Sequence, residues 1–248
     1  MIKKRLQLHF FILLCKKFSF FMIRHLINLF FPKSCAGCHS FLLSAEKVIC
    51  TQCRHEIPLT NHHKIEENEV IQKFYGRIPL EYGSALFYFH KKGIVQEIIH
   101  KLKYNGQEEI GRIIGNWYSE ELQHLEQIKK IDYIIPVPLH KTRLRQRGYN
   151  QVEGFGKALS TKLEIPYNNE LLYRKLYTKT QTKKDFLGRA DMISTAFDVS
   201  FSKDYHGKHF LLIDDVITTG STLEACSRAI LKIPNAKISV VCMAMSHH

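Results

Sequence analysis

The chain has 248 residues, of which 45% are hydrophobic and 24% are charged, a length that suffices for one full α/β core and a small additional module. No internal repeat or low-complexity tract is evident, which excludes repeat architectures. The formal net charge of +13 favours anionic partners, namely phosphorylated small molecules, nucleic acid or a membrane surface, without choosing among them.

The first 31 residues form a basic, apolar N-terminal segment. Basic residues interrupt its Phe-, Leu- and Ile-rich stretch at 9–31, so no run reaches the roughly 18 apolar residues that a membrane-spanning helix needs. A short apolar run resembles the core of a signal peptide, but no small-residue cleavage site follows. A helix packed on the protein, an upstream start codon and a basic amphipathic helix on a membrane surface remain alternatives. We expect a cytoplasmic protein.

Four of the seven cysteines form the pattern C-x2-C, eleven residues, C-x2-C, at Cys35, Cys38, Cys50 and Cys53. Two such turns present four thiolates to one ion, which predicts a structural Zn²⁺ site of the ribbon type within residues 32–60. A pair of disulfides would need an oxidising compartment, for which the sequence gives no clear signal. Four thiolates leave no open position, so a catalytic zinc is not expected.

Residues 61–79 are polar and of mixed charge, which indicates a linker, and residues 80–248 are expected to form the main domain. In this domain strands alternate with helices, which predicts a mainly parallel, doubly wound α/β sheet. The predicted strands are 81–90, 132–139, 170–177, 209–215 and 237–245, and the predicted helices are 93–104, 108–125, 148–163 and one between the last two strands.

The strand at 209–215 ends in two adjacent acids, Asp214 and Asp215, and a hydroxyl-rich turn precedes the next helix. Carboxylates at a strand end suit a ribose diol or a phosphate-bound Mg²⁺. Such a turn can direct backbone N–H groups and hydroxyls at a phosphate, and the helix N-terminus adds partial positive charge. The alternative is an ordinary capped turn. The turn consists of Thr218, Thr219, Gly220, Ser221 and Thr222.

Two further segments can lie at the same edge of the sheet, because ligands of such sheets bind at the carboxyl ends of the strands. The predicted loop at 140–151 follows a strand and contains Arg143, Arg145 and Arg147, whose guanidinium groups suit phosphate oxygens. A solvated basic loop or a nucleic-acid patch is the alternative. The polar stretch 178–197 indicates a lid or a surface loop.

The sequence HFLLIDDVITTGSTL (209–223) resembles the motif with which type I phosphoribosyltransferases bind phosphoribosyl pyrophosphate (PRPP). Together with FPKSCAGC, CTQC, LKYNG, IIPVPLHKTRLRQRGYNQ and QTKKDFLGRADMISTAF, it resembles the ComF competence-protein family over roughly residues 30–245. The resemblance implies a type I phosphoribosyltransferase-like domain with a small N-terminal zinc ribbon.

The resemblance also implies roles for individual residues. The acids would hold the ribose diol with Mg²⁺ and act as the catalytic pair, and the turn would hold the 5′-phosphate. The implied positions are Asp214 and Asp215 for the diol; Thr218, Thr219, Gly220, Ser221 and Thr222 for the phosphate; Arg143, Arg145 and Arg147 in the pyrophosphate loop; Gln181 and Arg189 in the flexible loop; and Lys103 and Tyr104 in the hood.

The chemistry implied is Mg²⁺-dependent pentosyl transfer, a glycosyltransferase reaction in which Arg and Mg²⁺ stabilise the departing pyrophosphate. No segment identifies the acceptor, so turnover stays open. The alternative is a non-catalytic protein that binds PRPP, a nucleotide or single-stranded DNA, with a role in DNA uptake during competence. A third class is an adaptor that docks on uptake proteins at the membrane through residues 1–25. The sequence does not give the oligomeric state.

Overall fold

A computed structural model describes residues 32–104, 106–175 and 196–246. The chain divides into two compact units, Met1–Arg54 and His55–His248. The predicted N-terminal segment 1–31 lies outside the described residues, as does most of the predicted lid at 178–197. The two units are described separately.

The described part of the smaller unit is a short hairpin-like turn followed by a helix. Ser34 and Phe41 form an isolated antiparallel bridge, and the backbone N–H of Ala36 donates to the carbonyl of Val48 at 2.8 Å. The helix α1 (Thr51–Glu56) follows, and the Glu46 carboxylate accepts from the N–H of Thr51 at 2.6 Å. An acceptor at that position satisfies an amide of the first helical turn that has no partner within the helix.

The larger unit is built on a parallel sheet with the strand order β1-β6-β5-β2. This arrangement confirms the predicted parallel α/β sheet. In chain order its elements are α2 (Glu69–Phe74), β1 (Tyr82–Phe89), α3 (Ile94–Tyr104), α4 (Glu108–Leu122), α5 (Glu126–Lys129), β2 (Tyr133–Pro136), α6 (Lys141–Arg147), α7 (Glu153–Leu163), β3 (Leu172–Arg174), β4 (Phe197–Val199), β5 (His209–Ile217), α8 (Ser221–Ile230) and β6 (Lys237–Ser246). Three-residue 3₁₀ turns lie at His62–Lys64 and Lys203–Tyr205.

Side chains of the central strand β5 alternate between two apolar layers. Phe210 and Leu212 are fully buried in the same core cluster as Leu223 and Ile230 of α8. Ile213 lies on the opposite face, where its Cδ1 is 2.5 Å from the position a Cβ would take on Gly156 of α7. Helices therefore cover both faces of the sheet, as a doubly wound fold requires.

Helices α4 and α7 pack closely because glycines lie at their contact. A Cβ on Gly115 would lie 2.7 Å from the Cβ of Ala158, and a Cβ on Gly154 would lie 2.8 Å from the carbonyl oxygen of Glu108. This close approach fixes the start of α7 against the start of α4.

Residues 61–79, for which the sequence predicts a linker, form part of the larger unit. The Asn68 side chain caps α2 by accepting from the N–H of Val70 at 3.0 Å, and its amide donates to the carbonyl of Gly83 in β1 at 2.8 Å. Val70 and Phe74 of α2 are fully buried. The segment is thus packed onto the edge of the sheet.

Two further predictions differ from the structure. The basic stretch expected as a loop contains the helix α6, which begins after His140 and ends at Gly148, whose φ of 79° is left-handed. No residue of α6 is buried, so no apolar periodicity reveals it. Of the strand expected at 170–177, residues 170–175 are described, and within them the strand β3 covers Leu172–Arg174 and pairs antiparallel with β4 in a separate two-stranded sheet.

Candidate functional site

The acidic pair lies near the carboxyl end of β5, and strand alternation directs its two side chains to opposite faces of the sheet. The Asp214 carboxylate accepts from the N–H of Asp215 at 2.8 Å, and that of Asp215 accepts from the N–H of Val216 at 2.7 Å. Asp215 is only 6% exposed, whereas Asp214 keeps partial exposure. The two carboxylates belong to one strand end but face different surroundings.

The Asp215 carboxylate is held by groups from α3 and from the start of α7. Its Oδ2 is 2.8 Å from the Nζ of Lys103 and accepts from the Nε2 of Gln151 at 3.2 Å. The Oε1 of Gln151 in turn accepts from an Nη of Arg147 at 2.7 Å. A cation and an amide donor therefore hold Asp215 in one orientation, as charge-assisted hydrogen bonds do.

An exposed aromatic side chain borders this network. Tyr104 is 62% exposed, the guanidinium of Arg147 lies 5.4 Å from the centroid of its ring, and the ring of His100 lies 4.9 Å away. The neighbouring Tyr149 hydroxyl donates to the carbonyl of Leu102. The end of α3 and the connection between α6 and α7 therefore meet beside the acidic pair.

Burial disfavours a negative charge at Asp214. Desolvation raises the pKa of its carboxyl, and the neighbouring Asp215 carboxylate raises that pKa further. Burial likewise raises the pKa of the thiols of Cys226 and Cys242, which lie near Asp214. A cation close to the two side chains, such as a phosphate-bound Mg²⁺, would favour the ionised form of Asp214, because Mg²⁺ prefers carboxylate and phosphate oxygens.

The turn after β5 exposes hydroxyls and a helix N-terminus. Thr218 and Thr219 are exposed, and the Oγ1 of Thr219 lies 3.0 Å from the Oγ of Ser221. Gly220 adopts a left-handed φ of 78°, and α8 begins at the next residue and runs for 10 residues. The amides of the first helical turn lie beside these hydroxyls, and that of Ser221 donates to the Oγ1 of Thr219 at 3.4 Å. Amides and hydroxyls grouped at a helix N-terminus suit a phosphate group.

The segment before β1 supports this turn from behind. An Nη of Arg77 donates to the carbonyl oxygen of Thr219 at 3.0 Å, and its Nε donates to Glu224 of α8 at 2.8 Å. The ring of Phe74 lies beneath Gly220. No local sequence pattern marks either residue as a support of this turn, because their partners lie far away in the chain.

The structure brings together some of the predicted residues and not others. Lys103 contacts Asp215, and Arg147 is connected to Asp215 through Gln151. Arg143 and Arg145 lie exposed on α6. Burial lowers the pKa of Arg174 in β3, and the positive charge of Arg143 lowers it further. Gln181 and Arg189 lie outside the described residues.

The four cysteines of the smaller unit converge on one point. Their Sγ atoms all lie within 4.8 Å of one another, and those of Cys38 and Cys50 are 3.6 Å apart. Sulfur atoms bound tetrahedrally to one Zn²⁺ lie about 3.8 Å apart. Cys35, Cys50 and Cys53 are buried, Cys38 is exposed, and all four are free of disulfides. The cluster therefore fits the predicted zinc ribbon.

The cysteines of the cluster differ in how readily they form the thiolates that a metal needs: hydrogen bonds lower the pKa of Cys38, whereas burial raises the pKa of Cys53. The Sγ of Cys35 accepts from the N–H groups of Gly37 at 3.3 Å and Cys50 at 3.2 Å. A hydrogen bond from the Ser40 side chain is the main cause that lowers the pKa of Cys38 to about 6. The hydrogen bonds to Cys38 stabilise negative charge on its sulfur, and a bound cation would do the same for the buried thiols.

Over the part of the chain that the structure describes, no helix has the length and apolar character needed to cross a membrane.

Comparison with protein families finds a match to the phosphoribosyl transferase domain over residues 153–248. The matched region contains the acidic pair, the turn after it and helices α7 and α8. The match agrees with the fold class that the sequence predicts. Among solved structures, the comparison finds a similarity to the glutamine PRPP amidotransferase of B. subtilis, with a TM-score of 0.37, 14% identity, and coverage of 54% of this chain and 26% of that one.

Curated relatives match over most of the chain. Competence protein F of Haemophilus influenzae is 29% identical over 220 residues, which are 85% of this chain and 96% of that protein. DNA utilization protein YhgH of Escherichia coli is 26% identical and covers 84% of this chain and 88% of its own length. Competence protein ComFC of Bacillus subtilis is 25% identical and covers 81% and 78%. The predicted resemblance to the competence proteins is confirmed.

Proposed function

We propose that this homologue of the competence proteins F and ComFC, with its phosphoribosyl transferase domain, binds Mg²⁺–PRPP in the cytoplasm at the carboxyl end of β5. One observation supports this proposal above the others. A single strand end combines the acidic pair with the hydroxyl-rich turn and the N-terminus of α8, and cationic groups of Lys103 and Arg147 lie beside it. These groups suit the diol, the 5′-phosphate and the pyrophosphate of one ligand.

The acidic pair would hold the ribose. The hydroxyls of a diol donate hydrogen bonds, and the carboxylates of Asp214 and Asp215 accept them. Lys103 and Gln151 both contact the Oδ2 of Asp215. Lys103 is 26% exposed and its long side chain can turn from the carboxylate to an arriving phosphate. Mg²⁺ would be held by carboxylate and pyrophosphate oxygens and would neutralise the charge of the pyrophosphate.

The turn would hold the 5′-phosphate. Backbone amides at the start of α8 and the exposed hydroxyls can donate to phosphate oxygens, and the helix dipole favours the negative charge. The residues concerned are Thr218, Thr219, Gly220, Ser221 and Thr222.

Pentosyl transfer would require stabilisation of the leaving pyrophosphate. As the bond between the ribose C1 and the pyrophosphate oxygen breaks, its electron pair stays on that oxygen, and positive charge develops on the ribose ring. Arg147 and Lys103 would stabilise the pyrophosphate, with Arg143 and Arg145 of α6 as further cations. Arg189, which the family resemblance assigns to the flexible loop, lies outside the described residues. The Asp215 carboxylate would face the positive ribose. An acceptor nucleophile completes the reaction, and its identity is not assigned.

Calorimetric titration of Mg²⁺–PRPP tests the proposal. We expect micromolar binding to the wild type and a loss of roughly 1–3 kcal/mol in Asp215→Asn, because a charged hydrogen-bond acceptor is lost. Asp204→Asn is the matched control, since Asp204 is an exposed aspartate that contacts Ser202. Absence of binding to the wild type, or equal binding by both variants, contradicts the proposal.

The cysteine cluster would hold one structural Zn²⁺, with all four ligands from Cys35, Cys38, Cys50 and Cys53. A unit this small gains most of its folding free energy from such a metal. The metal would stabilise the smaller unit and take no part in the transfer reaction.

Binding of single-stranded DNA in DNA uptake is the second candidate, and one surface favours it. Exposed Tyr104 lies between His100 and Arg147, and the neighbouring helix α6 exposes further basic residues. Bases stack on such aromatic side chains, and cations neutralise the phosphates between them. Oligonucleotide affinity that falls steeply with salt, and is unchanged in Asp215→Asn, would support this candidate over a PRPP site.

A further inference from the structure

The guanidinium of Arg77 is fixed between helix α8 and the turn that precedes it. It donates to the carbonyl of Thr219 at 3.0 Å, to the carbonyl of Lys73 at 3.2 Å and to the Glu224 carboxylate at 2.8 Å. Arg228 donates to the same carboxylate at 2.9 Å and to the carbonyl of Arg77 at 2.8 Å. Arg77 is therefore held along its whole length.

Glu224 is charged in this arrangement. Burial opposes ionisation of its carboxyl, but Arg228 and Arg77 outweigh burial and lower its pKa. The side chains of Arg77 and Glu224 are 31% and 22% exposed, so the ion pair is partly shielded from water. A partly buried pair of this kind orders its partners more firmly than a fully exposed pair does.

The contact of Arg77 with Thr219 fixes the direction of a peptide bond. The carbonyl and the N–H of a trans peptide point in opposite directions, and the described residues contain no cis peptide. Because the carbonyl of Thr219 points at Arg77, the N–H of Gly220 points away from Arg77. With this contact in place, the side of the turn that faces away from Arg77 presents the N–H of Gly220 and not the carbonyl of Thr219.

Glycine makes this orientation easy to lose. A peptide bond before a glycine reverses at low cost, because glycine accepts both signs of φ. After such a reversal the turn would present the Thr219 carbonyl oxygen, which repels phosphate, in place of the Gly220 N–H, which binds it. The turn itself contains no cation, since its residues are threonines, glycine and serine.

We propose that Arg77 is a positioning residue that holds the Thr219–Gly220 peptide with its N–H available to a phosphate. The inference rests on the proposed function, since it concerns the same phosphate-binding turn. Arg77 acts through the turn and does not itself need to touch the ligand.

Titration with ribose 5-phosphate tests the inference, because this ligand contains the 5′-phosphate and lacks the pyrophosphate. We expect Arg77→Met to weaken its affinity about tenfold or more, the size expected for loss of a hydrogen bond from a charged group. The control is Arg112→Met, which removes the same charge from an exposed ion pair with Glu109 on α4. Its affinity should equal that of the wild type.

A second variant and a second readout separate positioning from general damage. If Arg77→Met does not fold, Arg77→Lys is measured instead. Lysine keeps the charge but lacks the planar fork of donors with which Arg77 bonds Glu224 and the Thr219 carbonyl at the same time, and we expect at least a threefold loss. In the ligand-free variant the NMR amide signal of Gly220 should broaden or split as the peptide reverses. If the folded variant keeps wild-type affinity and a single unchanged Gly220 signal, the inference is wrong and the proposed function is unaffected. A wild-type protein that binds neither ribose 5-phosphate nor Mg²⁺–PRPP would overturn both the inference and the proposed function.

Discussion

Replacement of Gly220 by alanine should destabilise the larger unit more than the same change at Gly148. The backbone angles of the two glycines are nearly equal, with φ 78° and ψ −1° at Gly220 and φ 79° and ψ −16° at Gly148. A left-handed backbone costs a residue with a side chain about 1–2 kcal/mol, and this cost applies to both variants. The two positions therefore differ only in what surrounds the added methyl group.

The surroundings of the added Cβ set the expected difference. At Gly220 it would lie 2.9 Å from the Cζ and 3.0 Å from the Cε1 of Phe74, whereas at Gly148 no atom lies within 4 Å. Carbon atoms prefer about 3.5–4.0 Å, so the Phe74 ring must move. Phe74 is 1% exposed and closely packed, and such overpacking costs about 1–3 kcal/mol. Gly220→Ala should therefore lower the free energy of unfolding by about 1–3 kcal/mol more than Gly148→Ala does.

Urea unfolding measured by tryptophan fluorescence gives both free energies. The chain contains one tryptophan, Trp117 of α4, whose ring lies 5.4 Å from that of Phe87 in β1, so its emission reports on the larger unit. Equal free energies of unfolding for the two variants would refute the reasoning, because they would mean that Phe74 does not support the turn.

Three further predictions concern other parts of the molecule. Cys35→Ser should release Zn²⁺ to a colorimetric chelator and make the smaller unit sensitive to protease while PRPP affinity is retained; a variant that keeps its metal contradicts the zinc site. Asn68→Ala should lower the free energy of unfolding by about 1–3 kcal/mol, because α2 loses its cap and the Gly83 carbonyl loses its donor, and urea unfolding measures the change. Burial lowers the pKa of His209, so its neutral form stabilises the fold above the unfolded-state pKa of about 6.5 and that stability is lost as pH falls below this value. The decline in unfolding free energy from about pH 7.5 to about pH 5.5 should be shallower in His209→Gln, and an unchanged slope would contradict this assignment.

The features predicted from sequence are those whose information is local. The acidic pair directly follows an apolar run, and the turn and the start of the helix follow within seven residues. A short stretch of sequence therefore contains the whole strand–turn–helix motif. The cysteine spacing is local in the same sense, and the Sγ atoms do converge. Strand and helix periodicity also gave the parallel α/β class, because each buried strand is a short apolar run.

Groups that act across long sequence separations were not predictable from the residues themselves. Arg77 contacts a carbonyl 142 residues away, and no local pattern marks that partner. Lys103 was placed near the site by family resemblance, and its contact with Asp215 depends on how α3 packs beside β5.

Helix α2 did leave a local signal in the segment interpreted as a linker. Asn68 is a favourable cap, and Val70 and Phe74 are four residues apart on one helical face. The helix has only six residues, so two apolar positions were outweighed by the polar composition around them. Helix α6 left no such signal, because it has no buried face.

Backbone amide NMR shifts on addition of Mg²⁺–PRPP show where the ligand binds. If it binds at the end of β5, the largest shifts occur at residues 218–222 and at Lys103, and they disappear in an Asp214→Asn, Asp215→Asn double variant. Shifts confined to other surfaces, or no shifts at saturating ligand, would contradict a phosphoribosyl site at the end of β5.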